Sequence, residues 1–108
     1  MNKIKVLFKE PNKAAEEREI NSDLKTLQKL VGGYIEVVWL EDIQCQIILN
    51  EEGKIINLKP NVYLWSGQDY VAGNLIVSAF DEDGESISLT KNQILQAKKY
   101  LKANHIST

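Results

Sequence analysis

Two adjacent glycines, Gly32 and Gly33, constrain the fold of this chain more than any other feature of its sequence. Before them, leucines recur at helical spacing between residues 24 and 31. After them, from Tyr34, β-branched and aromatic residues dominate and the period falls to two. Helices often end at a glycine in the left-handed conformation, because glycine has no Cβ to clash there. The pair therefore predicts a joint between a helix over about 23–31 and a strand, and it disfavours a dinucleotide loop, whose glycines follow a strand.

The segment after the glycines predicts a strand followed by a hairpin. The first strand is expected to bury Ile35, Val37 and Trp39 on one face. Residues 46–58 predict a hairpin with strands over 46–49 and 55–58, and Gly53 lies in its turn where a positive φ is needed. The Lys-Pro-Asn sequence that follows is expected to interrupt the next strand.

The N-terminal segment has the alternation of a half-buried strand. Residues 3–9 alternate apolar and mostly basic side chains. Lys3, Lys5 and Lys9 are expected to share the solvent-facing side of this strand. A proline and an asparagine then end it, and residues 17–20 are predicted to pair back on it as a short second strand.

Downstream of the hairpin the pattern is irregular until a buried strand and a final helix. Residues 62–73 predict a loop that could include one helical turn. Residues 74–80 are apolar on both faces apart from Ser78 and predict a central strand. Residues 86–89 are expected to pair with it after an acidic Asp-Gly turn. A capping box of threonine and glutamine starts a helix over about 91–104. Residues 105–108 are expected to form a frayed tail.

These elements together predict one α+β domain spanning residues 1–108. Its sheet would be mixed and mainly antiparallel, with about five to seven short strands, and two helices, about 23–31 and 91–104, would pack on it. A chain of 108 residues, 44% of them hydrophobic, buries roughly two-thirds of its unfolded surface, which suffices for a core without metal or disulfide staples. Five glycines are predicted to serve structural turns: Gly32, Gly33, Gly53, Gly73 and Gly84.

Net charge and cysteine content indicate which partners and which cellular compartment are expected for this protein. A formal net charge of -2 argues against a protein that lies along a nucleic-acid backbone, and it is too small to favour a nucleic-acid mimic. A single cysteine cannot form an internal disulfide, which fits a reducing cytoplasm. No apolar run approaches the ~18 residues of a membrane span, and the alternating N-terminus does not fit a signal peptide. A cytoplasmic protein without membrane association is therefore expected.

No residue pattern commits the chain to a chemistry. Cys45 lies within a strand without a second cysteine, as expected of a small buried hydrophobe. His105 follows the last helix, where no partner is predicted for it. The acidic turn over 81–85 is followed by Thr90 where a calcium loop requires glutamate, and no cysteine or histidine cluster has zinc spacing. The sequence therefore predicts no catalytic residue, no metal site and no cofactor.

The polar hairpin tip and the predicted loop after it are the best candidates for a binding surface. Aromatic and amide side chains in a loop can stack on a base or hold a peptide. The alternative is that Leu64 and Trp65 close the end of the core. The candidate ligand- or partner-binding residues are Asn50, Glu51, Glu52, Lys54, Asn61, Tyr63, Trp65, Gln68, Asp69 and Tyr70.

An ordered set of motifs resembles a known family. The set comprises the glycine joint in residues 31–37, the Asn-Glu-Glu-Gly-Lys tip at 50–54, the Leu-Lys-Pro-Asn run at 58–61, and Gly73 before an apolar strand. Over roughly residues 3–90 it is similar to the small bacterial, plasmid and phage proteins catalogued as domain of unknown function 3846. The resemblance implies no activity. It implies only that six residues match recurrent family positions: Gly32, Gly33, Asn50, Glu52, Gly53 and Asn61.

Three functions are compatible with these residues. The favoured one is a non-catalytic binding module, an accessory protein of a phage or mobile element, that recognises an unknown protein or small ligand. A carboxylate-dependent hydrolase or transferase would use Glu51, Glu52 and Asp69, provided that they converge in one pocket. A single-stranded nucleic-acid binder would use the loop aromatics, but the net charge makes nucleic acid the less favoured partner. A homodimer through an exposed strand edge is also compatible with the sequence.

Overall fold

Short runs of alternating apolar residues form strands throughout the computed structural model, which describes residues 3–108. The strands are β1 (Lys3–Lys9), β2 (Glu16–Asn21), β3 (Ile35–Leu40), β4 (Cys45–Asn50), β5 (Pro60–Leu64), β6 (Asp69–Ala72), β7 (Leu75–Phe80) and β8 (Ser86–Ile87). The helices are α1 (Leu24–Val31) and α2 (Lys91–Ala103), and short 3-10 turns span Glu41–Ile43 and Trp65–Gly67. The predicted α+β class is confirmed.

Six strands pair into one antiparallel sheet. Five of them follow the order β2-β1-β7-β4-β3, and β8 pairs with the end of β7. The central strand β7 is buried over residues 75–79, as its sequence, apolar except for Ser78, predicts for a strand covered on both faces. β5 and β6 form a separate antiparallel hairpin.

Alternation along the strands sends apolar side chains to two cores, one on each face of the six-stranded sheet. Ile48 and Ile76 face α1, where they pack with Leu27. Their chain neighbours Ile47 and Val77 face the other side, where α2 and the β5–β6 hairpin cover them. The hairpin therefore shares one face of the sheet with α2. Of the helices in residues 3–108, neither is long and apolar enough to cross a membrane.

Capping residues fix both ends of α1 and the start of α2. At the start of α1, the Asp23 carboxylate accepts hydrogen bonds from the Thr26 backbone N–H at 3.2 Å and from its hydroxyl at 2.7 Å. Gly32 ends α1 with a φ of 83°, and its N–H donates to the Gln28 carbonyl at 2.8 Å. The predicted capping box is formed at the start of α2.

The predicted hairpin over residues 46–58 is not formed, because 46–49 belong to β4 but 55–58 form no strand. β4 pairs with β3 and β7, and the chain then leaves the sheet through turns over 51–57 before β5 starts at Pro60. Proline is accommodated there because the first residue of a strand need not donate to the ladder. Gly53 does not have the expected positive φ. Instead, a Cβ on Gly53 would lie 2.5 Å from the Ala72 carbonyl oxygen, so glycine is required for the turn to approach β6.

The predicted loop over residues 62–73 is instead the β5–β6 hairpin. Its turn contains three consecutive residues with positive φ: Trp65 at 48°, Ser66 at 56° and Gly67 at 87°. Hairpin rules place glycine, asparagine or aspartate at such positions. The Trp-Ser-Gly turn has only one of these residues, which is why the sequence does not predict a hairpin here.

The end of the chain pairs with β5 and is not the frayed tail that the sequence indicates. The Tyr63 N–H donates to the Asn104 carbonyl at 2.8 Å, and the Ile106 N–H donates to the Asn61 carbonyl at 3.0 Å. His105 forms a bridge with β5. The residues after α2 therefore add a short third segment to the hairpin.

Two side chains have the opposite burial from the one that strand alternation predicts. Trp39 is 52% exposed, because β3 is the edge of the sheet and the apolar cluster beneath α1 reaches only Ile35 and Val37. Lys9 is 2% exposed, because the hairpin residue Asn61 covers the end of β1. The expected positions of Trp39 in the core and of Lys9 in solvent are both wrong.

Replacing Gly53 by alanine is expected to lower the free energy of unfolding by about 3 kcal/mol, because the new Cβ meets a backbone carbonyl. Gly84→Ala is the matched control. Gly84 also lies in a turn, with a φ of 79°, but no neighbouring atom lies within 4 Å of its Cβ position, so only left-handed strain of about 1 kcal/mol is expected. Chemical denaturation measures both losses, and equal losses would contradict the close approach at Gly53.

Candidate functional site

The side chain of Asn50, a predicted ligand contact, forms hydrogen bonds to the backbone of the protein itself. It is buried, its Nδ2 donates to the Val31 carbonyl at 3.2 Å, and its Oδ1 accepts from the Glu52 N–H at 2.8 Å. A Cβ on Gly33 would lie 3.0 Å from the same Nδ2. Asn50 therefore joins the end of β4 to the end of α1, and the second glycine of the joint leaves room for its amide.

Asn61 is the most completely bonded of the predicted site residues. Its Oδ1 accepts from the Lys9 ammonium at 2.5 Å. Its Nδ2 donates to the carbonyls of Lys9 at 2.9 Å and Gly73 at 2.8 Å. The side chain is fully buried, so these bonds connect β1, β5 and the turn before β7 in place of any ligand contact.

Most of the other predicted residues surround a groove beside β3, which is termed the acidic groove. It consists of two adjoining cavities, of about 260 and 530 Å³, that share Trp65 as a wall and are both lined by β3 residues. Six predicted residues line the smaller cavity: Asn50, Glu51, Lys54, Trp65, Asp69 and Tyr70. The larger cavity is lined by Trp39, Glu41, Asp42, Ile43 and Tyr100, among others.

Trp65 is held outward by its turn. The indole is 52% exposed, whereas Leu64 beside it is buried in the core. Thus Leu64 closes the end of the core, and Trp65 does not. A bulky residue with a positive φ is a backbone outlier that costs on the order of 1 kcal/mol or more. Such strain is found where surrounding structure enforces it, often at binding sites.

Lys54, Asp69 and Tyr70 form one interacting unit in the smaller cavity. The Lys54 ammonium forms an ion pair with the Asp69 carboxylate and lies 4.6 Å from the centre of the Tyr70 ring. The hydrogen bond from Lys54 is the main reason why the pKa of Asp69 lies below its usual range. Asp69 is therefore a charged, partnered carboxylate.

The three carboxylates of the enzyme hypothesis are not gathered in one cavity. Glu51 and Asp69 line the smaller cavity of the acidic groove, whereas Glu52 lines a different one beside Tyr34. Burial raises the pKa of the Cys45 thiol to about 11, which keeps it protonated. Over residues 3–108, no group of three histidine, cysteine or acidic side chains is placed to hold a metal.

Some of the predicted site residues lie outside the acidic groove, and several residues that were not predicted line it. Tyr63 and Gln68 are exposed but line neither cavity. The loop aromatics therefore do not share one platform. The unpredicted residues of the smaller cavity include Glu36, Val38 and Ile55. Glu36 had a usable signal, because it is the only charge on the otherwise apolar strand β3.

Comparison with known proteins identifies a family for this chain but no activity. The family model described as domain of unknown function 3846 matches residues 4–104, nearly the whole chain, and confirms the resemblance seen in the motifs. No curated protein and no solved structure matches the chain.

Asn61→Ala is expected to lower the free energy of unfolding by about 3 kcal/mol, because it leaves an ammonium and two carbonyls without their partner in the interior. Gln68→Ala, at an exposed position of the same hairpin, is the control and should change stability by less than about 0.5 kcal/mol. Urea denaturation checks both variants. An Asn61→Ala protein as stable as the control would show that the buried amide does not support the fold.

Proposed function

Because the chain belongs to the family described as domain of unknown function 3846, whose description names no activity, we propose a function from the geometry of the acidic groove. The protein is a non-catalytic binding module that holds an extended, basic segment of a partner protein along the edge of β3. The observation that carries the proposal is Trp65, which stands exposed between two cavities beside that edge. The proposed setting is the cytoplasm, as an accessory protein of a phage or mobile element.

The open edge of β3 is suited to pairing with a further strand. Edge strands present unpaired N–H and C=O groups, and proteins usually protect them with charged side chains. The opposite edge, β2, carries four charges in six residues, whereas β3 carries Glu36 alone. An extended peptide can add to such an edge through backbone hydrogen bonds and place alternate side chains in the adjacent groove.

The charges of the groove favour a positively charged partner. The carboxylates that line its cavities are Glu36, Glu41, Asp42, Glu51 and Asp69. Lys54 is the one lysine or arginine among the lining residues, and it is already paired with Asp69. Lysine or arginine side chains of a peptide would therefore meet complementary charge, and an arginine could also stack on the exposed Trp65 indole.

The same charges disfavour the other occupants. A single-stranded nucleic acid would bring phosphates against the carboxylates. A second copy of the chain, paired through β3, would bring a second groove lined by carboxylates beside the first, without further positive charge among the lining residues to balance either one. Carboxylate catalysis is disfavoured because Asp69 is paired and Glu52 lies outside the groove.

Selection of a displayed random-peptide library against the protein tests this function. Selected peptides are expected to alternate lysine or arginine with β-branched or aromatic residues, and to shift the backbone NMR signals of residues 35–40. Trp65→Ala and Glu36→Lys should each weaken a selected peptide at least about tenfold, because central anchors and desolvated charges commonly contribute about 2 kcal/mol. Leu95→Ala is the control, since Leu95 is an exposed leucine of α2 that lies outside the groove.

Two results would contradict the proposed function. Selected peptides that are acidic, or that bind the Trp65→Ala protein as tightly as the Leu95→Ala control, would remove the groove as the binding site. A stable dimer in sedimentation analysis that Glu36→Lys dissociates would instead assign the β3 edge to a second copy of the chain.

A further inference from the structure

Lys9 is a buried lysine that has no carboxylate partner among residues 3–108. Its side chain is 2% exposed, and the hydrogen bond that its ammonium makes within residues 3–108 goes to the Asn61 oxygen. The ion pairs of this part of the chain use other cations, namely Lys13, Arg18, Lys54 and Lys98. An ammonium has three donors, and a buried charge is costly unless it is paired. Most of the bonding capacity of Lys9 is therefore unused by the described chain.

Lys9 lines a cavity of about 490 Å³ between the end of β1 and the last turns of α2, which is termed the cationic pocket. The other basic residues that line it are Lys13, Lys98, Lys102 and His105. Among the described residues, none that lines the pocket is acidic, and Leu101 adds an apolar side chain to the lining. Ligand pockets commonly have volumes of roughly 300–1,000 Å³, so the space suits a small molecule.

The walls of the cationic pocket are tied together across the fold. The Asn12 Nδ2 donates to the Thr108 hydroxyl at 2.8 Å, and the Thr108 N–H donates to the Asn12 Oδ1 at 2.9 Å. These two bonds join the loop after β1 to the end of the chain. The pocket is therefore a built feature of the fold, with Lys9 on the buried strand and the other basic residues on the loop and on the α2 segment.

The charges around the pocket are only partly balanced by the protein. Lys13 and Lys98 form exposed ion pairs with Glu10 at 3.3 Å and Glu17 at 3.0 Å. Exposed pairs of this kind contribute little stability and can rearrange around a ligand. The C-terminal end of α2 adds about half a negative charge from the helix dipole, against four lysines.

We propose that the cationic pocket binds a small, multiply charged anion carrying phosphate or carboxylate groups. Lys9 is its inner contact and Lys102 its main outer contact, because neither has an ion-pair partner among residues 3–108. Charge-assisted hydrogen bonds from ammonium groups to these oxygens are short and strong. Burial lowers the pKa of Lys9 in the free protein, and a bound anion would oppose that effect.

Calorimetric titration with inorganic pyrophosphate and with citrate, in low salt, tests the anion site. Lys9→Met should weaken binding at least about tenfold and Lys102→Gln about fivefold, because each removes a charged contact. Lys99→Gln is the matched control. Lys99 is an exposed lysine on the same helix that does not line the pocket, and its loss should change the affinity less than about twofold. Added sodium chloride should weaken binding to the wild-type protein.

Binding of pyrophosphate alone would assign a phosphate ligand, and binding of citrate alone would assign a carboxylate ligand; both support the anion site. Circular dichroism measures whether the Lys9→Met protein is folded. If it is not, the comparison of Lys102→Gln with Lys99→Gln decides whether the pocket binds the anion. The proposal is overturned if neither probe binds at concentrations up to about 10 mM, at which even millimolar affinities are detected. It is also overturned if the two glutamine variants lose the same affinity.

Discussion

The buried amide of Asn61 connects the two sheets of this protein, and the positions of both proposed binding surfaces depend on it. A two-stranded hairpin is at best marginally stable alone in water. The apolar side of β5–β6 attaches it to the six-stranded sheet, but apolar contact is not directional. The three hydrogen bonds of Asn61 to Lys9 and Gly73 fix where the hairpin lies. They place its Trp65 turn beside β3 and cover the end of β1, so that Lys9 is buried.

A nearly neutral chain can carry two surfaces of opposite charge, and this protein does. Its net charge of -2 averages an acidic groove at the β3 edge with a pocket lined by four lysines at the end of α2. The separation follows from topology, because β3 is one edge of the sheet, whereas Lys9 comes from β1 near the other edge. An argument from net charge alone therefore disfavours charged partners that the acidic groove or the cationic pocket could still bind.

The sequence predicts the parts of the fold that have strong local signals. These parts are the glycine end of α1, the capping box of α2 and the central strand β7, which all follow from residue type and spacing. The β5–β6 hairpin has no such signal, because its strands are short and its turn forces Trp65 and Ser66 to positive φ. Part of the candidate site can be predicted from the sequence, since six predicted residues line the acidic groove. The burial of Lys9 cannot be predicted, because strand alternation places this residue in solvent and only its tertiary contact with Asn61 buries it.

Hydrogen exchange of the Asn61 side-chain amide protons tests most directly whether this residue fastens the hairpin to the sheet. Both protons donate to buried carbonyls, so we expect them to exchange only through global unfolding, with the same opening free energy as the slowest backbone amides of β7. Exchange as fast as that of the exposed Gln68 amide, while β7 stays protected, would show that the hairpin opens independently and would contradict the account.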